Sequence, residues 1–223
     1  MMKYARKRLK TGIFAVGLCG VLLTGWACSS YGPSKAGLGT AAAQEAPSIF
    51  NEAPVPEGWP ALTPVDEIRI KTYPAYRAAK IVAKADNEQS SSGMFRPLFN
   101  HIKREDIAMT APVEMTYSDE GEESSMAFLY RTPDMGQPGS DSKDPRVQIS
   151  DFPAQTVVSI GVKGGYTNDR FEEAMEQLSA WLTENTQYRA AGEPRYLGYN
   201  SPFVPRFMRY GEVQVPVEKS TND

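Results

Sequence analysis

The hydrophobic and polar positions of the chain repeat at an interval of 79 residues. Residues 68–84 read IRIKTYPAYRAAKIVAK and residues 147–163 read VQISDFPAQTVVSIGVK, so that aliphatic, aromatic and Pro-Ala positions coincide. In each copy two extended runs flank an aromatic-Pro-Ala corner, where proline fixes φ and ends ladder pairing. The repeat predicts two equivalent halves related by a pseudo-twofold axis.

An amphipathic helix is predicted after each copy of the repeat, because apolar residues follow the i, i+3, i+4, i+7 spacing of one helical stripe. The apolar positions are Phe95, Leu98, Phe99 and Ile102 in the first helix and Phe171, Ala174, Met175 and Leu178 in the second. Ser91 or Ser92 is a candidate N-cap of the first helix. Asp169 followed by Glu172 resembles a capping box for the second helix, which we expect to end near Asn185.

Alternating side chains predict strands after each helix. Residues 107–116 alternate between two faces, as in a half-buried strand, and residues 126–131 are the expected partner. Residues 196–199 and 213–217 take the same part in the second half. The sequence therefore predicts two strand–strand–helix–strand–strand halves whose sheet closes around one core, with both helices packed outside. Such an arrangement leaves a cleft where helix and loops meet the sheet.

The amino-terminal residues have the organisation of an export signal. Residues 3–10 carry five basic side chains, and residues 13–23 are an apolar run without a charge, which is short for a bilayer span of about 20 residues. Cys28 follows this run and precedes small polar residues, as in a bacterial lipoprotein signal, so that lipidation of Cys28 is the first interpretation. Gly25 and Ala27 also suit ordinary signal cleavage, and an uncleaved anchor is the remaining alternative.

The expected location is therefore the cell envelope, on the periplasmic side and lipid-anchored to a bacterial membrane. Residues 28–64 are rich in Ser, Gly, Ala and Pro and have little hydrophobic period, so they are interpreted as a flexible linker. Both cysteines, Cys19 and Cys28, lie in the signal or at its edge. The folded domain therefore has no disulfide, and its stability must come from packing.

Composition and charge limit the possible partners. The chain is 41% hydrophobic and 23% charged, which excludes a polytopic membrane protein and a wholly disordered chain. The formal net charge is −3, but without residues 1–27 the chain has 19 basic and 27 acidic groups, a net charge of −8. Because phosphate binding needs a basic face, we expect no nucleic-acid partner. We also expect the protein to be a monomer.

Several catalytic chemistries lack their residues. His101 is the single histidine, and no nucleophile motif lies near it. Zinc sites built from Cys and His are not available to the folded part, and neither is covalent haem attachment through Cys-x-x-Cys-His. An enzyme that uses buried carboxylates stays open, although no motif marks one.

Two motifs carry a resemblance to a known family. Residues 93–99 read GMFRPLF and residues 107–113 read IAMTAPV, and residues 199–203 (YNSPF) and 209–213 (RYGEV) occur late in the chain. This combination is similar to the SOUL haem-binding protein family, over about residues 66–218. The resemblance implies an α+β fold, a distorted eight-stranded antiparallel β-barrel with two packed helices and a pseudo-twofold internal repeat. The implied organisation is a signal peptide (1–27), a linker (28–64), a SOUL-like haem-binding domain (65–219) and a tail (220–223).

The resemblance also implies non-covalent binding of haem or a related tetrapyrrole. The expected site is a hydrophobic groove beside the first helix (94–104) and a late Pro-rich loop (199–208). The candidates for its apolar wall are Met94, Leu98, Ile102, Phe203, Val204, Phe207 and Met208, and those for its cationic rim are Arg96, Lys103, Arg104 and Arg206. His101 is either an axial ligand of the iron or a half-exposed polar residue. The chain departs from the family where Gly211 replaces the usual Asn.

Three functions are compatible with this reading. The first is a carrier, buffer or scavenger of haem-like tetrapyrroles in the cell envelope. The second is an enzyme that removes the metal from a tetrapyrrole, or hydrolyses it or another small hydrophobic molecule; a carboxylate such as Glu114 or Glu212 inside the groove would favour it. The third is a structural envelope protein whose own side chains fill the groove.

Overall fold

Ten β-strands and two α-helices form the part of the chain that the structure describes. The structure is a computed structural model, and it describes residues 53–83, 91–117 and 123–220. The strands are β1 (Ile68–Tyr73), β2 (Tyr76–Val82), β3 (Val113–Tyr117), β4 (Glu123–Leu129), β5 (Gly139–Ser140), β6 (Gln148–Phe152), β7 (Gln155–Lys163), β8 (Tyr188–Ala190), β9 (Arg195–Gly198) and β10 (Tyr210–Lys219). The helices are α1 (Ser91–Arg104) and α2 (Asn168–Glu184), and a short 3-10 helix covers Arg206–Met208.

All of the named strands belong to one antiparallel sheet. Their order is β1-β7-β10-β9-β3-β4-β2-β6-β5, with β8 paired to β10 outside this path. β1 and β2 are two parts of one bent strand, and β6 and β7 are two parts of another. These bent strands pair in a single register through their corners, since Tyr73 lies opposite Gln155 and Tyr76 lies opposite Phe152. The order of pairing therefore returns to its starting point around the sheet.

This pairing agrees with the predicted repeat. The corners at Pro74 and Pro153 lie side by side, and each half then continues with a helix and a strand pair. The α+β class, the two helices and the large antiparallel sheet are confirmed. Eight longer strands correspond to the eight that were predicted, and β5 and β8 are short additions of two and three residues.

The two helices cover separate parts of the sheet. α1 packs on β2 and β4, while α2 packs on β7, β8 and β10. The apolar stripes of both helices enter one core, with Met94, Leu98 and Ile102 from α1 and Phe171, Ala174, Met175 and Leu178 from α2. The end of α2 is confirmed, because the helix stops at Glu184 with Asn185 as its C-cap. Its predicted cap at Asp169 is wrong: Thr167 accepts a hydrogen bond from the backbone N–H of Arg170 and caps the helix two residues earlier.

The strand predicted over residues 107–116 begins only at Val113. The backbone N–H of Ile107 donates a hydrogen bond to the carbonyl of Ile102, and the backbone N–H of Ala111 donates one to the carbonyl of Pro54. Pro112 has no N–H to donate. Residues 107–112 therefore contribute no ladder hydrogen bonds, although their side chains alternate in the sequence.

Residues 53–64, which were predicted as the end of a flexible linker, are part of the fold. We call this segment the strap. Trp59 contacts the rings of Tyr73 and Tyr76 at centroid distances of 4.5 and 5.6 Å, and its indole N–H donates to the hydroxyl of Tyr199. Thr63 is fully buried. The linker prediction fails here because a Pro-rich segment without a hydrophobic period can still be held by aromatic contacts from distant strands.

The predicted signal peptide, Cys28 and residues 29–52 lie outside the described residues, as do residues 221–223 of the predicted tail. The candidate cap side chains of Ser91 and Ser92 also lie outside what the structure describes. Within the described ranges, no helix has the length and apolar character needed to cross a membrane.

Candidate functional site

An open cleft of about 580 Å³ lies beside α1. Its lining residues are Gly93, Arg96, Pro97, Asn100 and Arg104 from α1, and Lys143, Asp144 and Arg146 from the loop between β5 and β6. The helical residues are three or four positions apart, which places them on one face of the helix, turned away from the core stripe. The volume is within the range of about 300–1,000 Å³ that is typical of small-molecule sites.

The cleft is strongly basic. Four of its lining side chains are cationic and one is anionic, although the chain as a whole has a net charge of −3. Asp144 is paired with Arg146, whose guanidinium donates to both carboxylate oxygens at 2.8 and 2.6 Å. Among the described residues, Arg96 and Lys143 have no acidic partner. A cleft of this kind attracts anions, because two of its cations are not paired with an acidic side chain of the described residues.

A buried network of hydrogen-bonded side chains lies directly behind this cleft. His101 Nδ1 donates to Asp141 Oδ2 at 2.6 Å, and His101 Nε2 lies 2.7 Å from the hydroxyl of Tyr130. Arg104 donates to the same carboxylate oxygen of Asp141 from the cleft side. The backbone N–H groups of Lys143 and Asp144 donate to the other oxygen at 2.9 and 2.7 Å. Asp141 therefore fixes the cationic loop against the cationic face of α1.

The charge state of Asp141 follows from these partners. Its burial alone would raise its pKa, but the hydrogen bonds from His101, from two backbone N–H groups and from Arg104 hold the pKa well below its usual range. Burial raises the pKa of Tyr130 to about 12, and the charge of Glu105 adds to the shift. Asp141 is thus an anion, and Tyr130 is a neutral hydroxyl, across the physiological pH range.

The same cluster also meets a distance criterion for a metal site. Ligand atoms of His101, Glu105 and Asp141 lie within 4.8 Å of one another. However, Arg104 already donates to Asp141, and both ring nitrogens of His101 are in hydrogen bonds. A cation would have to compete with the guanidinium for the same carboxylate oxygen. The donor set therefore favours the internal hydrogen-bond network over a metal ion.

The structure separates the sequence-predicted residues of α1 into two faces. Met94, Leu98 and Ile102 are buried in the core and line no open groove. Arg96 lines the cleft, as does Arg104, whereas Lys103 is exposed outside it. The apolar stripe was interpreted as a groove wall, but in this conformation it fills the space between α1 and the sheet.

His101 is buried and not half-exposed, which corrects one of the two expectations, and in this conformation both of its ring nitrogens are engaged. The side chain is 5% exposed, and each of its ring nitrogens has a protein partner. An axial ligand needs a free nitrogen lone pair that reaches the metal. In this conformation His101 instead joins α1 to Asp141 and to Tyr130 at the end of β4.

The late loop (199–208) lies beside the other helix. Phe207 lines a second depression of about 490 Å³ together with Ala174 and Gln177 of α2, and Arg206 lies against Gly165 just before that helix. The charged residues of this depression are Asp66, Lys163, Arg170 and Glu173, which is a balanced set. Val204 is buried, while Phe203 is 94% exposed and Phe207 is 73% exposed. The basic cleft contains no residue of the late loop, and the second depression contains no residue of α1, so neither of these two cavities joins α1 to this loop.

Sequence reasoning missed the loop side of the basic cleft. Asp141, Lys143, Asp144 and Arg146 lie in a segment that was interpreted only as a connecting loop between strands. The one available signal is the sequence DSKDPR, in which an acidic side chain can accept from the backbone two and three residues later, as Asp141 does. Nothing in the linear order connects this segment to α1, which is about 40 residues earlier.

The carboxylates that would favour an enzyme are buried elsewhere. Glu212 is paired with Lys71 at 2.8 Å, and Glu114 is paired with Arg195 at 2.9 Å. Burial lowers the pKa of Lys71, and the charge of Glu212 partly opposes that shift. Neither carboxylate lines the cleft or the second depression. Both ion pairs belong to a polar network inside the sheet, which the strap covers through the backbone N–H of Thr63.

The fold defines an α+β domain built from two equivalent halves, with one basic cleft beside its first helix. The chain belongs to the SOUL heme-binding protein family, which it matches over residues 61–216. Membership of this family supports the binding of haem or another tetrapyrrole in general. No curated protein matches the chain.

Solved structures share the fold at low sequence identity. The EcmrR chain in a complex with DNA is 19% identical, with a TM-score of 0.54, and the match covers 69% of this chain and 58% of that chain. The C-terminal domain of EcmrR is also 19% identical, with a TM-score of 0.52, and the match covers 69% of this chain and 98% of that domain. A hydrolase from Listeria innocua is 14% identical, with a TM-score of 0.50 and coverage of 70% and 94%. This chain thus spans 58% of the longer EcmrR chain, and the likeness shows the fold alone.

Proposed function

We propose that this protein binds haem or a related tetrapyrrole non-covalently, with the carboxylates of the ligand in the basic cleft beside α1. We further propose that it acts as a carrier, buffer or scavenger of that ligand in the cell envelope. The observation that carries the proposal is the pair of cations, Arg96 and Lys143, that face the cleft without acidic partners. Family membership supports the ligand class.

The residues of the cleft suit the carboxylate side of a tetrapyrrole. A guanidinium presents paired N–H donors that match a carboxylate, and an ammonium adds a mobile point charge. Arg96 and Arg104 are two turns apart on α1, while Lys143 and Arg146 face them from the loop. Asp141 keeps Arg104 and the loop in place. The exposed ring of Phe99, stacked on Phe95 at a centroid distance of 6.0 Å, offers apolar surface on the same helix.

The iron of a haem would receive no ligand from His101 in this conformation, because both ring nitrogens are engaged. We therefore propose that the ligand is bound by its charge interactions and by apolar contact, and not by axial ligation of its iron. When bound, haem supplies redox and ligand-binding chemistry, while the residues of this chain bind and orient its carboxylates. A metal-free porphyrin with the same carboxylates is then expected to bind with similar affinity.

The test is a titration of the full chain with hemin, followed by its absorption spectrum. Arg96→Glu removes one cation and adds one anion in the cleft, so the affinity should fall about tenfold or more, since a hydrogen bond between charged groups contributes about 1.5–3 kcal/mol. Lys103→Glu is the matched control, because it makes the same charge change on the same helix but outside the cleft. Hemin dimethyl ester should bind the wild-type chain as weakly as hemin binds the Arg96→Glu variant.

Equal affinities of Arg96→Glu, Lys103→Glu and the wild-type chain for hemin would contradict the use of this cleft. Hemin affinity that is unchanged by Phe203→Ser as well, with binding still saturable, would mean that the ligand lies neither in the basic cleft nor at the late loop. Recovery of a chemically altered pigment from the bound state would instead favour the enzyme that the sequence left open.

The envelope location is a separate part of the proposal. It is supported by the basic residues 3–10, the apolar residues 13–23 and the position of Cys28. Growth of a producing bacterium with a palmitate analogue should label the wild-type chain and not the Cys28→Ser variant. Label on neither chain, with both found in the cytosolic fraction, would contradict an envelope role and leave the ligand proposal intact.

A further inference from the structure

The late loop presents two aromatic side chains to the outside of the molecule. Phe203 is 94% exposed and Phe207 is 73% exposed, and they are the two most exposed large hydrophobic side chains among the described residues. Between them stands the exposed cation Arg206, which has no acidic partner within the described ranges. Exposed aromatic side chains beside basic ones are typical of surfaces that contact a membrane interface.

The backbone of this loop is fixed, although its tip is exposed. The guanidinium of Arg209 donates to the carbonyls of Val204 and Pro202 at 2.8 and 2.6 Å. The hydroxyl of Tyr166 donates to the carbonyl of Asn200 at 2.7 Å, and the buried side chain of Val204 anchors the centre. The two phenylalanines are therefore held outside the fold by a rigid frame, so exposing them is not the result of fraying.

The late loop itself has a basic but no acidic side chain, and the depression beside Phe207 is charge-balanced. No Asp or Glu occurs in residues 194–211, whereas this stretch contains three arginines. Arg195 is buried, but Arg206 is exposed and Arg209 is half-buried at the base of the loop. A surface that combines two aromatic tips with one exposed arginine is complementary to an interface of anionic headgroups over acyl chains.

The amino-terminal chain joins the fold next to the late loop. Ala53 and Val55 pack against a cluster that contains Tyr199 at the start of the loop, and so does Tyr210 at the start of β10. Residues 28–52 number 25 and can span at most about 85 Å. If Cys28 is held at a membrane, a segment of this length allows the late loop to reach that membrane.

We propose that the late loop docks on an anionic lipid bilayer, with Phe203 and Phe207 inserted at the level of the headgroups and Arg206 against the lipid phosphates. The proposal rests on the envelope location proposed above, and it assigns the late loop to the membrane and not to the tetrapyrrole. The domain would then lie with its loop end on the membrane, and the ligand cleft beside α1 would be on a different surface.

The test replaces Phe203 by the photoreactive aromatic residue p-benzoylphenylalanine in the full chain. The chain is placed on vesicles of phosphatidylethanolamine with or without phosphatidylglycerol and irradiated, and the adducts are identified by mass spectrometry. The expected result is a lipid adduct at position 203 that increases when phosphatidylglycerol is present. Arg206→Glu should lower the adduct yield about fivefold or more, since each basic residue near an anionic surface contributes about that factor to binding.

Position 82 is the matched control, because Val82 is a hydrophobic residue that is 61% exposed at the end of β2. The photoreactive residue at position 82 should give little lipid adduct on the same vesicles. Equal lipid yields at positions 82 and 203 would overturn the proposal, and so would adducts at position 203 that join two copies of this chain. Lack of any lipid adduct at position 203 would overturn it as well.

A hemin titration separates this proposal from the function proposed above. Phe203→Ser with Phe207→Ser should lower the fraction of the chain that sediments with phosphatidylglycerol vesicles and leave hemin affinity unchanged. A loss of hemin affinity in this double variant would assign the late loop to the tetrapyrrole and overturn its assignment to lipid. Failure of hemin to bind the wild-type chain, with the lipid adduct at position 203 intact, would contradict only the ligand proposal.

Discussion

Asp141 is the residue whose removal should affect the basic cleft most strongly. It accepts hydrogen bonds from His101, from Arg104 and from two backbone N–H groups, and its side chain is 1% exposed. Asp141→Asn keeps the size of the side chain but removes the charge, and its amide cannot accept at both oxygen positions. Loss of one partner from a buried ion pair costs about 3–5 kcal/mol. Because the amide oxygen keeps some of the bonds, we expect the free energy of unfolding to fall by about 3 kcal/mol at neutral pH.

The pH dependence of this difference has a definite direction. The pKa of Asp141 in the folded protein is held below the value of about 3.9 that an unfolded Asp has. The ionised carboxylate therefore contributes its full stability above about pH 5, and that contribution is lost as the pH falls through 3.9 towards the folded pKa. The difference between wild type and Asp141→Asn should accordingly be constant near neutral pH and shrink at acidic pH.

Urea denaturation of the full chain, followed by tryptophan fluorescence, measures this difference at several values from about pH 7 to about pH 3. Asp151→Asn is the control, because Asp151 is also paired with an arginine, Arg77, but is 58% exposed. It should leave the denaturation midpoint almost unchanged. A difference below about 1 kcal/mol for Asp141→Asn at neutral pH, as for a surface pair, would refute the reasoning. So would a difference that stays constant down to the lowest pH.

Three further predictions concern the inside of the sheet, and thermal or urea denaturation checks each of them. A Cβ at Gly161 would overlap backbone atoms of the strap, so Gly161→Ala should cost about 1–3 kcal/mol and increase proteolysis of the strap, while an uncleaved strap would contradict this. A Cβ at Gly211 would overlap the ring of Tyr196, so Gly211→Ala should lower the free energy of unfolding by about 1–3 kcal/mol. The loss should be smaller when Tyr196 is already replaced by alanine, and equal losses in both backgrounds would argue against the clash. Lys71→Met leaves Glu212 buried without its cation and should cost about 3–5 kcal/mol, of which a second change, Glu212→Gln, should restore a part.

The repeat was the most informative feature of the sequence. Because the two corners at Pro74 and Pro153 have the same local pattern, the sequence predicted two equivalent halves, and the pairing of β1 with β7 and of β2 with β6 agrees with them. The helical stripes were also found, since a period of 3.6 residues needs no tertiary information. The strap was missed because its burial depends on Trp59 meeting rings from distant strands.

The candidate site was predicted less well, for a physical reason. Apolar residues such as Met94 and Leu98 have the same spacing whether a helix faces a core or a groove, so the pattern alone could not separate the two. Arg96, which was predicted as a rim cation, lies on α1 and lines the basic cleft, and its contact with a ligand stays a prediction. Lys143 and Arg146 reach the same cleft only because Asp141 holds their loop against the helix. Gly211, which departs from the family, is explained by the ring of Tyr196 that occupies the place of a side chain.

The contact between the strap and the last strand has a consequence for biogenesis. The backbone N–H of Thr63 donates to the carboxylate of Glu212, which is 149 residues later in the chain. The interior network cannot form until β10 has left the ribosome, so a nascent chain lacks its finished core throughout most of synthesis. Pairing between such distant segments also makes folding slow. Under the proposed envelope location, a precursor with this topology is expected to stay unfolded long enough to pass through a translocation channel and to fold only on the far side.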